Sequence, residues 1–217
     1  WVEESEGGVS ITAGNVTSQT NRTVGGQEWV ETPDVVSSGR SFVIFDNHSV
    51  DYFEHNQESG ALQPIFAESF EEEIIDISIP TDSNGQEHLA ILTTTDLQLV
   101  DTSDNSVSFV DLNSNSSVVA SSGSLVAVSE KSESGPLVNI TSIDSELTIS
   151  IALDPRSSER IEASIVNSGT YLDFQNSTIV DLVMDSNWLV ATVDVGPFNR
   201  TILVDTLSIN QTLISNP

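Results

Sequence analysis

The sequence predicts an all-β chain of about four consecutive four-stranded units, the arrangement of a β-propeller. Three observations carry this. Short apolar runs alternate with turns rich in Gly, Asn, Asp and Ser along most of the 217 residues, and no long segment has helical periodicity. A hairpin recurs at a distance: Leu99-Val100-Asp101-Thr102 returns as Leu203-Val204-Asp205-Thr206, each followed by a polar turn and a short strand. The second strand of each unit lacks alternation, as in Phe42-Val43-Ile44, Leu89-Ala90-Ile91, Leu125-Val126-Ala127 and Leu189-Val190-Ala191. Strands covered on both faces read this way, and inner strands of a propeller blade are sandwiched between neighbouring blades.

Taken in order, residues 1–28 read as a polar linker or tether, with one possible strand at Val9 to Ala13. Residues 29–217 hold the blades, in units starting near 34, 74, 117 and 179. The first unit has strands at Asp34 to Val36, Phe42 to Phe45, Val50 to Phe53 and Leu62 to Phe66, and Pro64 confines the last to an edge. The second has Ile74 to Ile79, Leu89 to Leu92 and a hairpin from Asp96 to Leu112. In that hairpin Leu97, Leu99, Val107 and Phe109 have the alternation of half-buried strands. The third runs through Val118-Val119, Leu125 to Val128, Val138 to Ile140 and Leu147 to Leu153. The fourth runs through Ile179 to Val183, Leu189 to Val193, Ile202 to Val204 and Thr212 to Ile214. The longer third interval carries an insertion at about 155–176 with its own Asn167-Ser168-Gly169 turn. A β-sandwich is the alternative, since it also has strands at this spacing, but it does not predict a repeating order of turn, buried strand, turn and exposed hairpin.

The formal net charge is -27, with one lysine, Lys131, and five arginines, Arg22, Arg40, Arg156, Arg160 and Arg200. Such a surface repels nucleic acid and anionic lipid, and no apolar run is long enough to insert in a bilayer. Near-absence of lysine with abundant carboxylates points to a halophilic protein, because concentrated salt screens repulsion within a few ångström. Cysteine is absent, so there is no disulfide framework or thiolate metal site. Asn-x-Ser/Thr triplets begin at Asn15, Asn21, Asn47, Asn115, Asn139, Asn176, Asn199 and Asn210, eight of 15 asparagines, which points to a secreted or cell-surface glycoprotein. The chain starts at Trp1 without methionine, which fits a removed signal peptide or a fragment of something longer.

The stretch Ser18-x-Thr20-Asn21-x-x-Val24-x-Gly26, then Val30-Glu31-x-x-Asp34-Val35-Val36 and Gly39, resembles the segment that opens the propeller in a family of secreted archaeal and bacterial β-propeller proteins. Gln27-Glu28-Trp29 stands where that family continues with an acidic pair, and Pro33 replaces a small residue. The Asp-Thr hairpins at Asp101-Thr102 and Asp205-Thr206 resemble the YVTN repeats of microbial surface-layer propellers. The resemblance implies an extracytoplasmic location, no assigned chemistry and rings with more than four blades. A protein partner, further copies or further segments would then complete the fold.

Candidate chemistry is sparse. His48, His55 and His88 lack metal-pair spacing. No Gly-x-Ser-x-Gly elbow or phosphate loop is present, and carboxylates are too common to single out a catalytic pair. Asp101, Asp104 and Asn105 crowd oxygens into one turn that suits calcium, although the same side chains cap their own backbone without a metal. Trp29, Trp188 and Tyr52-Phe53 are aromatic candidates for a sugar- or protein-binding patch, with core packing the default for Trp188. The expectation is a non-enzymatic extracellular interaction or structural module without a cofactor. The alternatives are an extracytoplasmic hydrolase-like propeller enzyme or a carbohydrate-binding propeller.

If the charge of -27 is a high-salt adaptation, dilution restores carboxylate repulsion. The melting temperature should then fall between molar salt and about 0.1 M salt. An unchanged or higher melting temperature in dilute salt overturns the adaptation.

Overall fold

The computed structural model describes residues 2–5, 8–15, 20–24, 33–39, 41–56, 61–112, 116–133, 135–145, 147–153, 177–185, 187–194 and 199–206. For 2–24 and for position 200 it describes the backbone alone. These residues are all strand, turn or extended chain, and they divide into two compact units, 1–71 and 72–217.

The first unit opens with strands β1 (Val2–Ser5), β2 (Gly8–Asn15) and β3 (Thr20–Val24), paired in the order β1-β2-β3. The strand expected at Val9 to Ala13 lies in β2 and has a neighbour on each side, β1 and β3, within the stretch read as a tether with one strand. Main-chain pairing needs no apolar stripe, so polar segments such as Thr20-Asn21-Arg22-Thr23 escape a reading based on hydrophobic period. A four-stranded meander follows, with β4 (Asp34–Ser37), β5 (Ser41–Phe45), β6 (Ser49–His55) and β7 (Leu62–Ser69). Val43 and Ile44, successive residues on opposite faces of β5, are both buried. Phe42 faces Phe53 across the ladder, and their rings stack with centroids 5.2 Å apart. Pro64 sits on the edge strand beside a register shift between Tyr52 and Phe53, where a missing N–H is tolerated.

The second unit holds three consecutive meanders. The first has β8 (Ile74–Ser78), β9 (His88–Thr93), β10 (Asp96–Asp101) and β11 (Val107–Asp111). The next has β12 (Val119–Ser122), β13 (Leu125–Ser132), β14 (Gly135–Ser142) and β15 (Thr148–Ala152). The last has β16 (Thr178–Asp185), β17 (Trp188–Asp194) and β18 (Asn199–Asp205). The strand expected at Thr212 to Ile214 and the insertion at about 155–176 lie outside the described residues. Gly123, with φ 54°, makes the tight turn between β12 and β13.

The sheets stack face to face through β13. Its Val126 and Val128 pack with Val119 against Ala90, Leu92, Leu97 and Leu99 of the preceding sheet. Its Leu125 and Ala127 pack with Val138 and Ile140 against Leu182, Leu189, Ala191 and Val193 of the following sheet. Residues i and i+1 thus enter different cores, which is why the run shows no alternation. Leu89 to Leu92 of β9 are likewise fully buried. β17 behaves differently: Leu189, Ala191 and Val193 are buried, but Val190 between them is only half-buried. The expected burial of the whole run Leu189 to Ala191 is corrected at Val190.

The hairpin expectation also needs correction. Leu97 and Leu99 are buried as predicted, but Val107 and Phe109 are exposed, Phe109 by 61%. Phe109 pairs with Gln98 and Val107 with Val100, so both lie on the face opposite Leu97 and Leu99, on the outermost strand. Alternation marks two faces but does not say which one is covered.

One-sided burial of β17 makes a quantitative prediction. Leu189→Ala should cost about 2–5 kcal/mol by urea unfolding, whereas Leu203→Ala on the exposed face should stay within about 0.5 kcal/mol. Similar costs at both positions would mean that the exposed face is covered in the isolated chain.

Candidate functional site

Two places in the second unit gather polar side chains. At one end of its sheets lie the β8–β9 and β10–β11 loops together with the turns of the next sheet. Thr81 N–H donates to Gly123 O at 2.8 Å, and Ser83 donates to Asp144 Oδ1 through both N–H and Oγ, at 3.1 and 3.2 Å. Within this end, Asp82 Oδ1 accepts the main-chain N–H groups of Asn84 and Gln86 at 2.9 and 2.7 Å. His88 Nε2 lies 3.8 Å from Asp82 Oδ2. Gln86 Nε2 donates to Thr102 Oγ1, which donates to Glu87 O at 2.6 Å. In this hairpin Thr102 ties the end of the third strand to the residue preceding the second. Thr206 occupies the same place in the last sheet and uses its main-chain N–H, bonded to Asn187 O at 2.9 Å.

The turn proposed from sequence as a calcium candidate is a compact self-capped loop. Asp101 Oδ1 accepts Ser103 N–H and Asp104 Oδ1 accepts Ser106 N–H, both at 2.8 Å. Asp101 O accepts Asn105 N–H, and Asn105 adopts φ 60°, which asparagine tolerates. The three residues therefore share one turn, and the two aspartates aim carboxylate oxygens at its own amides. Among the described residues no three His, Asp or Glu side chains are gathered to hold a metal ion.

At the opposite end a groove of about 390 Å³ runs between β13 and β16, lined by Ser117, Ser129, Glu130, Lys131, Ile179 and Val180 among others. Its hydroxyls stitch two sheets together. Ser129 Oγ accepts the N–H groups of Ser117 and Val118 at 3.0 and 2.9 Å, and Ser117 Oγ donates to Ile179 O at 2.9 Å. None of the three histidines lines it, so neither serine has an imidazole base beside it.

The remaining sequence candidates lie on separate elements. His48 lies in the β5–β6 turn, where its N–H donates to Asp46 Oδ1, and His55 ends β6. Tyr52 is fully buried and Phe53 is half-buried, while Trp188 is 44% exposed against the default of packing. Trp29 lies outside the described residues. Of the sequons, Asn47 and Asn199 are exposed, and Asn139 is half-buried on β14 with Ser150 Oγ bonded to its amide oxygen. Asn15 and Asn21 lie on β2 and β3, and Asn115, Asn176 and Asn210 are outside the described residues.

Asp82 and Asp104 in these turns and Asp51 on β6 have opposite signs of linkage. Hydrogen bonds, first from Gln86 N–H, hold Asp82 below its ordinary value of 3.8, and the Ser106 hydroxyl and N–H do the same for Asp104. Both contribute stability above 3.8 that is lost as pH falls through their lowered native values. Burial, then Asp46, raises Asp51, so its ionisation as pH rises through and above 3.8 disfavours the native state. Asp82→Asn should therefore flatten the acid limb of stability against pH and destabilise at pH about 7, whereas Asp51→Asn should stabilise there. Urea midpoints across pH check both signs.

No protein-family model matches the chain, and no curated protein matches it. Solved structures do. A candidate 6-phosphogluconolactonase from Bacteroides fragilis superposes with a TM-score of 0.53 at 14% identity, over 94% of this chain and 62% of its own. A Lactobacillus plantarum protein superposes with a TM-score of 0.50 at 9% identity, over 94% of this chain and 66% of its own. The chain thus spans less than two thirds of the length of the first of these structures, and the likeness is one of fold: an all-β chain of successive antiparallel blades, the β-propeller.

Proposed function

We propose that this chain is a non-enzymatic interaction module of the cell surface or extracellular space, from a salt-rich habitat, and part of a larger propeller assembly. The observation that carries the reading is where the polar groups go. Asp82, Asp101, Asp104, Ser117 and Ser129 all bond to main chain of their own or the adjoining sheet. The charge of -27 and the sequon-rich composition support an exposed, secreted setting. Its resemblance to secreted archaeal and bacterial propellers with YVTN-like repeats is in keeping with this.

The likeness to a candidate 6-phosphogluconolactonase favours a second reading, hydrolysis of a phosphorylated sugar lactone. That substrate is anionic and needs cationic donors. Lys131 is the only Lys or Arg side chain among the described residues, in a chain with six Lys and Arg against 33 Asp and Glu. An assay of 6-phosphogluconolactone hydrolysis in molar salt separates the two readings. No acceleration over the spontaneous rate is expected. Saturable hydrolysis that co-purifies with the chain would replace the proposal with the enzymatic reading.

A further inference from the structure

The last sheet repeats the first sheet of its unit at one unusual point. In β8 the register against β9 shifts between Ile74 and Asp76, so Ile75 is bulged and Asp76 pairs with Leu92. In β16 the register against β17 shifts between Ile179 and Asp181, so Val180 is bulged and Asp181 pairs with Thr192. Ile74-Ile75-Asp76-Ile77 and Ile179-Val180-Asp181-Leu182 are the same motif on the same strand of two blades. The carboxylate of Asp76 ties its sheet to the next, because its Oδ2 accepts the N–H of Val119 at 2.9 Å, on the first strand of that sheet. Leu92, on the same face as Asp76, packs there against Val119, Val126 and Val128.

The corresponding face of the last sheet carries a row built for the same contact. Val183 pairs with Val190, and Val190 with Leu203. Val183 is 57% exposed and Leu203 59%, with Trp188 beside them. Asp181 is exposed on this face too. We propose that this face of β16-β17-β18 receives a further β-sheet of the same build, with Asp181 accepting a main-chain N–H from its first strand. The proposal rests on the interaction-module reading and deepens it. Continuity fixes the occupant, because an aliphatic face with a carboxylate-to-amide bond beside the first-strand bulge is part of the interface already formed between β8–β11 and β12–β15. A second copy of the same face fits poorly, since Asp181, Asp185 and Asp205 would meet their own counterparts.

Leu203→Cys tests this, because the chain has no other thiol. In the purified 217-residue chain in molar salt, maleimide should label Cys at this position as fast as in urea. In the protein as assembled by its native cells, labelling should be about 100-fold slower, as for a group reached only through opening. Equal rates in both overturn the proposal. Protection in the purified chain that grows with concentration, alongside a sedimenting dimer, assigns the face to a second copy and also overturns it. Asp181→Ala should lower the melting temperature of the native assembly and leave that of the isolated chain unchanged. A drop in the isolated chain would make Asp181 a bond within this chain and remove its docking role. Lactone hydrolysis would refute the interaction-module reading without altering these labelling rates, so the two failures are distinguishable.

Discussion

Burial of β13 on both faces is the constraint on which the second unit depends. A strand normally has one face for the core and one for water. Here Leu125 and Ala127 belong to one core and Val126 and Val128 to another, so a single strand joins three sheets. Small and large residues alternate at the contacts: Ala90, Ala127 and Ala191 lie among Leu and Val, letting sheets approach without voids. The sheet β12–β15 therefore has no core of its own: it shares one face with the sheet before and one with the sheet after, in the manner of other repeat architectures.

Polar groups follow from the same geometry. Sheets stacked on both faces leave only their ends to water, and the loops there must satisfy their own amides. Asp82, Asp101 and Asp104 do so with short side chains that reach back to nearby N–H groups. Acidic residues are therefore used twice, as turn caps and as surface charge. This gives the composition a structural basis beside any adaptation to salt. It also means that an abundance of carboxylates is no sign of chemistry, since the ones best placed to look like a site are occupied by main chain.

The blades are legible in the sequence because two-sided burial writes an apolar run with no alternation, and turns write Gly, Asn and Asp. Units predicted near 34, 74, 117 and 179 have first strands that begin at Asp34, Ile74, Val119 and Thr178. What escapes is whatever depends on neighbours. Val107 and Phe109 alternate correctly yet are exposed, because they lie on the outermost strand and on the face turned away from the seam that Leu97 and Leu99 enter. Val190 sits in a run as apolar as that of Val126 but lacks its cover. The ladder β1-β2-β3 is held by main-chain pairing that composition does not encode. At the candidate site, the turn of Asp101, Asp104 and Asn105 is visible from sequence. The groove beside Ser117 and Ser129 is not, because residues more than ten positions apart meet there only through packing.

The first strands β8 and β16 carry a bulge at the same point. An extra residue in a first strand increases local twist and turns one side chain out of the ladder toward the next sheet. Beside the bulged Ile75, Asp76 accepts a main-chain amide of the next sheet within the apolar seam, adding to the Thr81–Gly123 and Ser83–Asp144 bonds between the same two sheets. Where the intervening sheet begins, Val118 is the residue before the ladder and packs into the apolar seam with the last sheet, while Ser117 makes the polar stitch to Ile179. Each of these two seams therefore contains a polar anchor within aliphatic contact, but its chemistry alternates between carboxylate and hydroxyl. A carboxylate anchor selects a donor amide, and the Ser117 hydroxyl selects a carbonyl. The two junctions thus carry different polar contacts within similar aliphatic seams.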